Sequence, residues 1–318
     1  MDVLNRVVAG VAMPESRPWD AANLDSATRA AVRQAFHLAS SMGIPLQLVT
    51  AVNEPERPFF DSGVDTDQQA VVDQQEANQV LTDLKSDYVK LNVRVSGKVV
   101  FGQPWLEIMR AAENSRRTLI VCGTQNSGAV RRLLFGTTGM RLLRHASGPV
   151  WLVKPRADND AVLDVLAATD LSEVGRDVIA AGVTLGRALP VQLTVMHVLD
   201  GLEDRQVVRG GASEEEVLNW RKQVRADAEI QLQDQLAETD FRTLSQGVRT
   251  QMTEGVADTC ILSGIEEFDV DLLVMASSGR GGVPGLLFGN TTERLLPELP
   301  CSLLVVKPDD FECSVVLS

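Results

Sequence analysis

Short apolar runs alternate with stretches of helical spacing along the chain, and the whole alternation occurs twice. Residues 7–11 form the first apolar run. A loop containing Pro and Asp follows from Met13 to Asp25, and then a helical stretch with Ala31, Ala35, Leu38 and Ala39 on one face, stopped by Gly43 and Pro45. Residues 46–52 read as a second strand and residues 53–66 as a polar loop. From 67 to 91 the spacing is again helical, with Ala77, Leu81, Leu84, Tyr88 and Leu91 in steps of four and three. Further strands are predicted at 98–101, 118–122 and 150–153, with a helix ending at Ala112 between the first two. Strand and helix in alternation predict βαβ crossovers and an α/β domain, a mostly parallel sheet with helices on both faces.

The polar segment 154–160 reads as a linker between domains at 1–155 and 161–318. After it the order restarts. A strand at 162–168 ends in Thr169-Asp170-Leu171-Ser172, and a helix runs on to about Ala188. A strand at 192–198 leads to a long helix opening at Ser213, with Glu216 three residues on as a capping box. The apolar face of that helix is Val217, Trp220, Val224, Ala228, Leu232 and Leu236. Strands follow at 248–252, 270–275 and 302–306, with a helix starting at Gly255 between the first two. Gly102 and Gly255, Gly136 and Gly289, and Lys154-Pro155 and Lys307-Pro308 are each separated by 153 residues. At the same offset Leu133-Leu134-Phe135-Gly136 repeats as Leu286-Leu287-Phe288-Gly289. A repeat of this length means duplicated domains rather than a solenoid, whose period is roughly 20–50 residues.

Chemistry concentrates after the fourth strand of each copy. In the second, Ser277 to Thr292 combines a glycine-rich turn with the start of a helix. Gly lets backbone approach a ligand closely, and the first N–H groups of a helix are unpaired and attract anions. Open parallel sheets bind ligands beyond the carboxyl ends of their strands, where strand order reverses. Two loops are expected to meet there in the second copy, one with Asp170 and Ser172, the other with Gly279, Gly289, Asn290 and Thr291. The Asp would accept from an adenine amine or ribose hydroxyl, and the glycine loop would hold phosphates. A structural alternative reads Asn290 and Glu293 as a second capping box and Gly289 as a turn residue. Neither the Walker pattern nor GxGxxG is present. His37, His145 and His197 are isolated and read as packing or surface residues, and no nucleophile and base assemble.

A net charge of −13 excludes a phosphate-backbone binder, which needs clustered Lys and Arg. No apolar run reaches the roughly 18 residues of a membrane helix, and no signal peptide is visible. Four cysteines without CxxC spacing read as reduced, in a cytoplasmic protein.

Taken together, the duplicated order, the Thr169-Asp170-Leu171-Ser172 turn and the Lys-Pro ending of each copy resemble the universal stress protein family in its tandem, two-domain E-type form. The resemblance implies two Rossmann-like domains of the adenine nucleotide alpha hydrolase-like kind, each with a five-stranded parallel sheet, packed as an intrachain pseudo-dimer that can dimerise further. Members that bind nucleotide carry Gly, two residues, Gly, nine residues, then Gly followed by Ser or Thr. Here the second copy has Ala276 at the first glycine, matches at Gly279 and Gly289, and continues Asn290-Thr291. The first copy matches at Gly123 and at Gly136-Thr137-Thr138, has Asn126 at the second glycine, and lacks the first-strand Asp, with Val11-Ala12-Met13 in its place. The resemblance therefore implies a stress-response protein that binds ATP, with Mg, in the second domain and keeps a degenerate site at Gly123, Gly136 and Thr137. It acts by binding or regulation, with at most slow ATP hydrolysis. The alternative is a carrier or sensor of an apolar molecule such as a lipid or fatty acid, using Phe135, Leu287 and Phe288.

Overall fold

The computed structural model describes residues 4–52, 66–113, 115–124, 136–157, 161–199, 213–277, 289–311, 313 and 315. The chain divides after Asn159 into two compact units. The loop expected at 53–66 lies almost wholly outside the described residues, as do Gln125, Asn126, Leu133 to Phe135, Gly279 and Leu286 to Phe288.

The first unit runs β1 (Arg6–Gly10), α1 (Ser26–Met42), β2 (Leu46–Val52), α2 (Thr66–Asp87), β3 (Val95–Phe101), α3 (Pro104–Ala111), β4 (Thr118–Gly123), α4 (Thr137–His145) and β5 (Val150–Val153). Its strands lie in the order β3-β2-β1-β4-β5, with every pair parallel. The order reverses between β1 and β4. Neighbouring residues of β4 show that helices cover both faces. Cys122 Sγ and Ile108 of α3 lie where a Cβ on Gly10 would point, whereas Gly123 abuts the first turn of α1. Successive strand residues face opposite sides, so α1 and α3 are on opposite faces. Burial between strand and helix pushes the Cys122 thiol up to about 12.

The second unit repeats this with β6 (Leu163–Thr169), α5 (Glu173–Ala188), β7 (Val191–Leu199), α6 (Glu214–Ala237), β8 (Val248–Glu254), α7 (Ala257–Glu267), β9 (Leu272–Ala276), α8 (Asn290–Leu295) and β10 (Ser302–Val306). The order is β8-β7-β6-β9-β10, again all parallel. On β6, Ala167 and Leu193 of β7 back onto Gly182 of α5, while Leu166 and Met196 back onto Gly264 of α7. Strands β9 and β10 are buried along almost their whole length, which is why they read as short apolar runs.

Three expectations change. The long helix predicted at 67–91 ends at Asp87 and gives way to a 3-10 turn, Val89–Leu91, closed by Asn92 in the left-handed region. Gly255 does not start a helix. It stands in a turn at φ +146, as Gly102 does at +136, and α7 begins two residues later with Val256 as its cap. Of the six apolar residues predicted to face inward on α6, Ala228, Leu232 and Leu236 are buried, while Val217, Trp220 and Val224 are half-buried. Among the described residues no helix is long and apolar enough to cross a membrane.

Candidate functional site

In the second unit β6 ends at Thr169, and the next three residues form a tight turn into α5. Leu171 adopts the left-handed conformation at φ +61. Its N–H donates to Thr169 Oγ1 at 3.0 Å. Asp170 Oδ1 accepts from Ser172 N at 3.0 Å and from Ser172 Oγ at 2.5 Å. Ser172 is the N-cap of α5, its Oγ accepting from Gly175 N at 3.2 Å. A Cβ on Gly175 would lie 2.6 Å from both Asp170 Oδ1 and Thr169 Oγ1, so glycine there makes room for the turn. The half-buried Asp170 carboxylate is thus held at the N-terminus of α5.

Two further elements brace this turn. Buried His197, in register with Thr169 on the adjacent strand, has Nδ1 2.8 Å from Thr169 O, so that nitrogen carries the proton. From α6, Gln231 and Gln235 each donate an amide N–H to Leu171 O, at 2.8 and 2.9 Å.

The other wall leaves β9. Ala168 and Met275 are register partners on β6 and β9, so the two loops start from adjacent strand ends. Buried Ser277 donates its N–H to Val306 O at 2.9 Å and accepts from Gly289 N at 2.8 Å. The chain leaving at Ser277 therefore returns to it at Gly289. Thr292 Oγ1 fastens the return by donating to Ala276 O at 3.2 Å and lying 3.4 Å from Ser277 O. The expected capping box of Asn290 and Glu293 is not formed. The extended residue before α8 is Gly289, at φ −74 and ψ 158, which puts Asn290 and Thr291 inside the first turn. Gly289 has no side chain to accept, so the opening N–H groups of α8 have no side-chain cap. The structure thus brings Asp170, Ser172, Gly289, Asn290 and Thr291 onto two neighbouring strand ends, while Gly279 lies outside the described residues.

The first unit is built differently at the same place. Gly10 ends β1 and buried Val11 follows; Asp20 then caps a 3-10 turn, Ala21–Asn23, and Asp25 is the N-cap of α1. Its Oδ1 accepts from Ala27 N and Thr28 N at 2.8 and 2.9 Å, and its Oδ2 from Thr28 Oγ1 at 2.6 Å. The intervening loop is pinned to α2 by Arg17, which pairs with Asp73 and Glu76 and lies 4.2 Å over the Trp19 ring. Gly123 packs closely against the first turn of α1. A Cβ on it would lie 2.6 Å from the Ala27 carbonyl carbon and 2.8 Å from Thr28 N. Gly136 and Thr137 form an uncapped helix start on α4, matching Gly289 and Asn290 in the second unit.

Sequence reasoning missed Gly175, Gln231, Gln235 and Thr292. Gln235 had a signal. It falls three residues after Leu232 and one before Leu236, on the buried stripe of α6, where a polar side chain needs a partner.

Comparison with known proteins gives one consistent answer. The family model for the Universal stress protein family matches residues 21–154 and 163–307, one match in each unit. The chain is similar to Universal stress protein E of Escherichia coli K12, 24% identical over 308 residues that cover 90% of this chain and 92% of that one. It is also similar to a universal stress protein of Mycolicibacterium smegmatis, 24% identical over 288 residues, covering 88% and 92%. Among solved structures, a universal stress protein from Archaeoglobus fulgidus aligns with a TM-score of 0.62 at 18% identity, over 95% of this chain and 98% of that one. A Pseudomonas aeruginosa structure of the same description aligns with a TM-score of 0.65 at 20% identity, over 96% and 94%.

Proposed function

The chain belongs to the universal stress protein family, with two tandem domains of that kind, and from that premise we propose that its second unit binds an adenine nucleotide. Membership supports a role in stress response. The observation that carries the nucleotide reading is the register of Ala168 with Met275. It starts the Asp170 turn and the Ser277–Gly289 closure side by side at the point where strand order reverses.

In this reading Asp170 accepts from the ribose or the base, and the uncapped N–H groups of α8, with the Thr291 hydroxyl, meet the phosphates. Gly289 lets the backbone come close, and Mg²⁺ arrives with the phosphates. Donors at one end and a carboxylate at the other suit a molecule that is anionic at one end and carries hydroxyl or amine donors at the other. The ligand is held rather than consumed, and the output is conformational.

Titration of the purified chain with Mg·ATP tests this. At about 100 times the dissociation constant the stability gain is about 2.7 kcal/mol, and Asp170→Ala removes it. No thermal shift at millimolar ATP, together with a fatty acid released from the native protein in mass spectrometry, would overturn the reading in favour of an apolar ligand.

A further inference from the structure

We propose that Gln231 and Gln235 of α6 are positioning residues for this site, a clamp that holds Leu171 left-handed and so aims Asp170. A non-glycine residue at φ +61 is held against its own backbone preference. Something must over-determine it. The Leu171 side chain is buried, and both lone pairs of its carbonyl are taken by the two glutamine amides at 2.8 and 2.9 Å. Gln235 Nε2 also lies 3.4 Å from Ser172 O.

Gln235 is only 4% exposed, and its Oε1 has no hydrogen-bond partner among the described residues. A helix that needed only packing would be better served there by leucine, as at Leu232 and Leu236. The buried amide is therefore explained by what its N–H groups do. The first unit makes the same kind of connection with other chemistry, since α2 grips the loop after β1 through Arg17, Asp73 and Glu76. In each unit the second helix holds the loop that follows the first strand.

The clamp matters to binding because a turn that leaves the left-handed form misdirects Asp170 and uncaps α5. Apparent affinity falls by the fraction of molecules in the competent form. This rests on the nucleotide reading, so the test has two arms on the full chain. Gln231→Met and Gln235→Met keep side-chain length and remove the donors, singly and together. Amide exchange at Leu171, Ser172 and Gly175 is expected to quicken about tenfold or more in the double variant, with the body of α5 unchanged. The Mg·ATP dissociation constant should rise about tenfold in the same protein, less in either single variant, and Gln231→Arg, which keeps a donor, should stay near wild type. Unchanged exchange at the turn overturns the clamp, as does a loosened turn that binds ATP as before. If the wild-type chain takes up no ATP, the nucleotide reading fails, and the exchange arm alone decides whether the clamp stands.

Discussion

Gly123 and Gly175 are both glycines where a helix start meets a strand end, yet they leave room for different atoms. At Gly123 the obstacle is the backbone of α1, which cannot yield as a flexible side chain can. Gly123→Ala should therefore lower unfolding stability by about 2 kcal/mol, the usual scale of overpacking, measured by chemical denaturation. A loss below a few tenths would show that α1 simply shifts. In the second copy Ala276 occupies the equivalent position, and the glycine sits on the helix, at Gly175, against Asp170 and Thr169. The sequence pattern marks Gly123 as a phosphate-turn residue, because a local motif records only that no side chain is wanted. Which neighbour forbids the side chain is decided by Ala27, nearly a hundred residues upstream. By contrast Gly102 and Gly255 keep the same purpose in both copies, each at positive φ and each followed five residues later by the side chain it abuts, Glu107 and Cys260.

Among the elements, α6 shows which features local sequence can carry. Its capping box is present as read, with Ser213 and Glu216 bonding reciprocally. Glu216 accepts from Ser213 N and Oγ, both at 2.8 Å, and the backbone bond first, then the hydroxyl bond, hold its carboxyl below the usual carboxylate range. For an acid depressed in the folded state the stabilisation is complete above its unfolded value and is lost as the pH falls through the folded one. An NMR titration should place the Glu216 midpoint below that of the urea-unfolded chain, and Ser213→Ala, which removes the hydroxyl bond and keeps the backbone one, should narrow the difference without abolishing it. The apolar stripe was only half legible. Periodicity identifies a face but not how much of it a domain covers, and the first four turns of α6 contain no buried residue. Contact chemistry between paired helices was not legible either. Arg141 lies 5.2 Å over the Trp105 ring where α3 meets α4, and at the same positions of the second copy Arg294 pairs with Asp258 at 3.5 Å.

At the scale of the whole molecule, duplication followed by divergence predicts an asymmetric response to ligand. The first unit closes the loop after β1 onto α2 and engages both oxygens of Asp25 in a helix cap. The second places Asp170 in the turn after its first strand, on the strand end next to an uncapped helix start. Saturating Mg·ATP should therefore raise hydrogen-exchange protection across β6, β9 and the start of α5, and leave β1, β4 and α1 unchanged. Equal protection in both units would sink that asymmetry. The amino-acid order alone determined the α/β class, the order of elements and the tandem repeat, because run length and period are properties of neighbouring residues. It also placed Asp170 and Ser172 at a turn, since Thr, Asp and Ser signal one locally. The tertiary structure decided that Gly123 packs against α1, that Gly289 rather than Asn290 stands at the N-cap position of α8, and that Gln235, 64 residues away, bonds to Leu171. Those outcomes depend on atoms brought together only when helices settle on the sheet, and no local pattern encodes that approach.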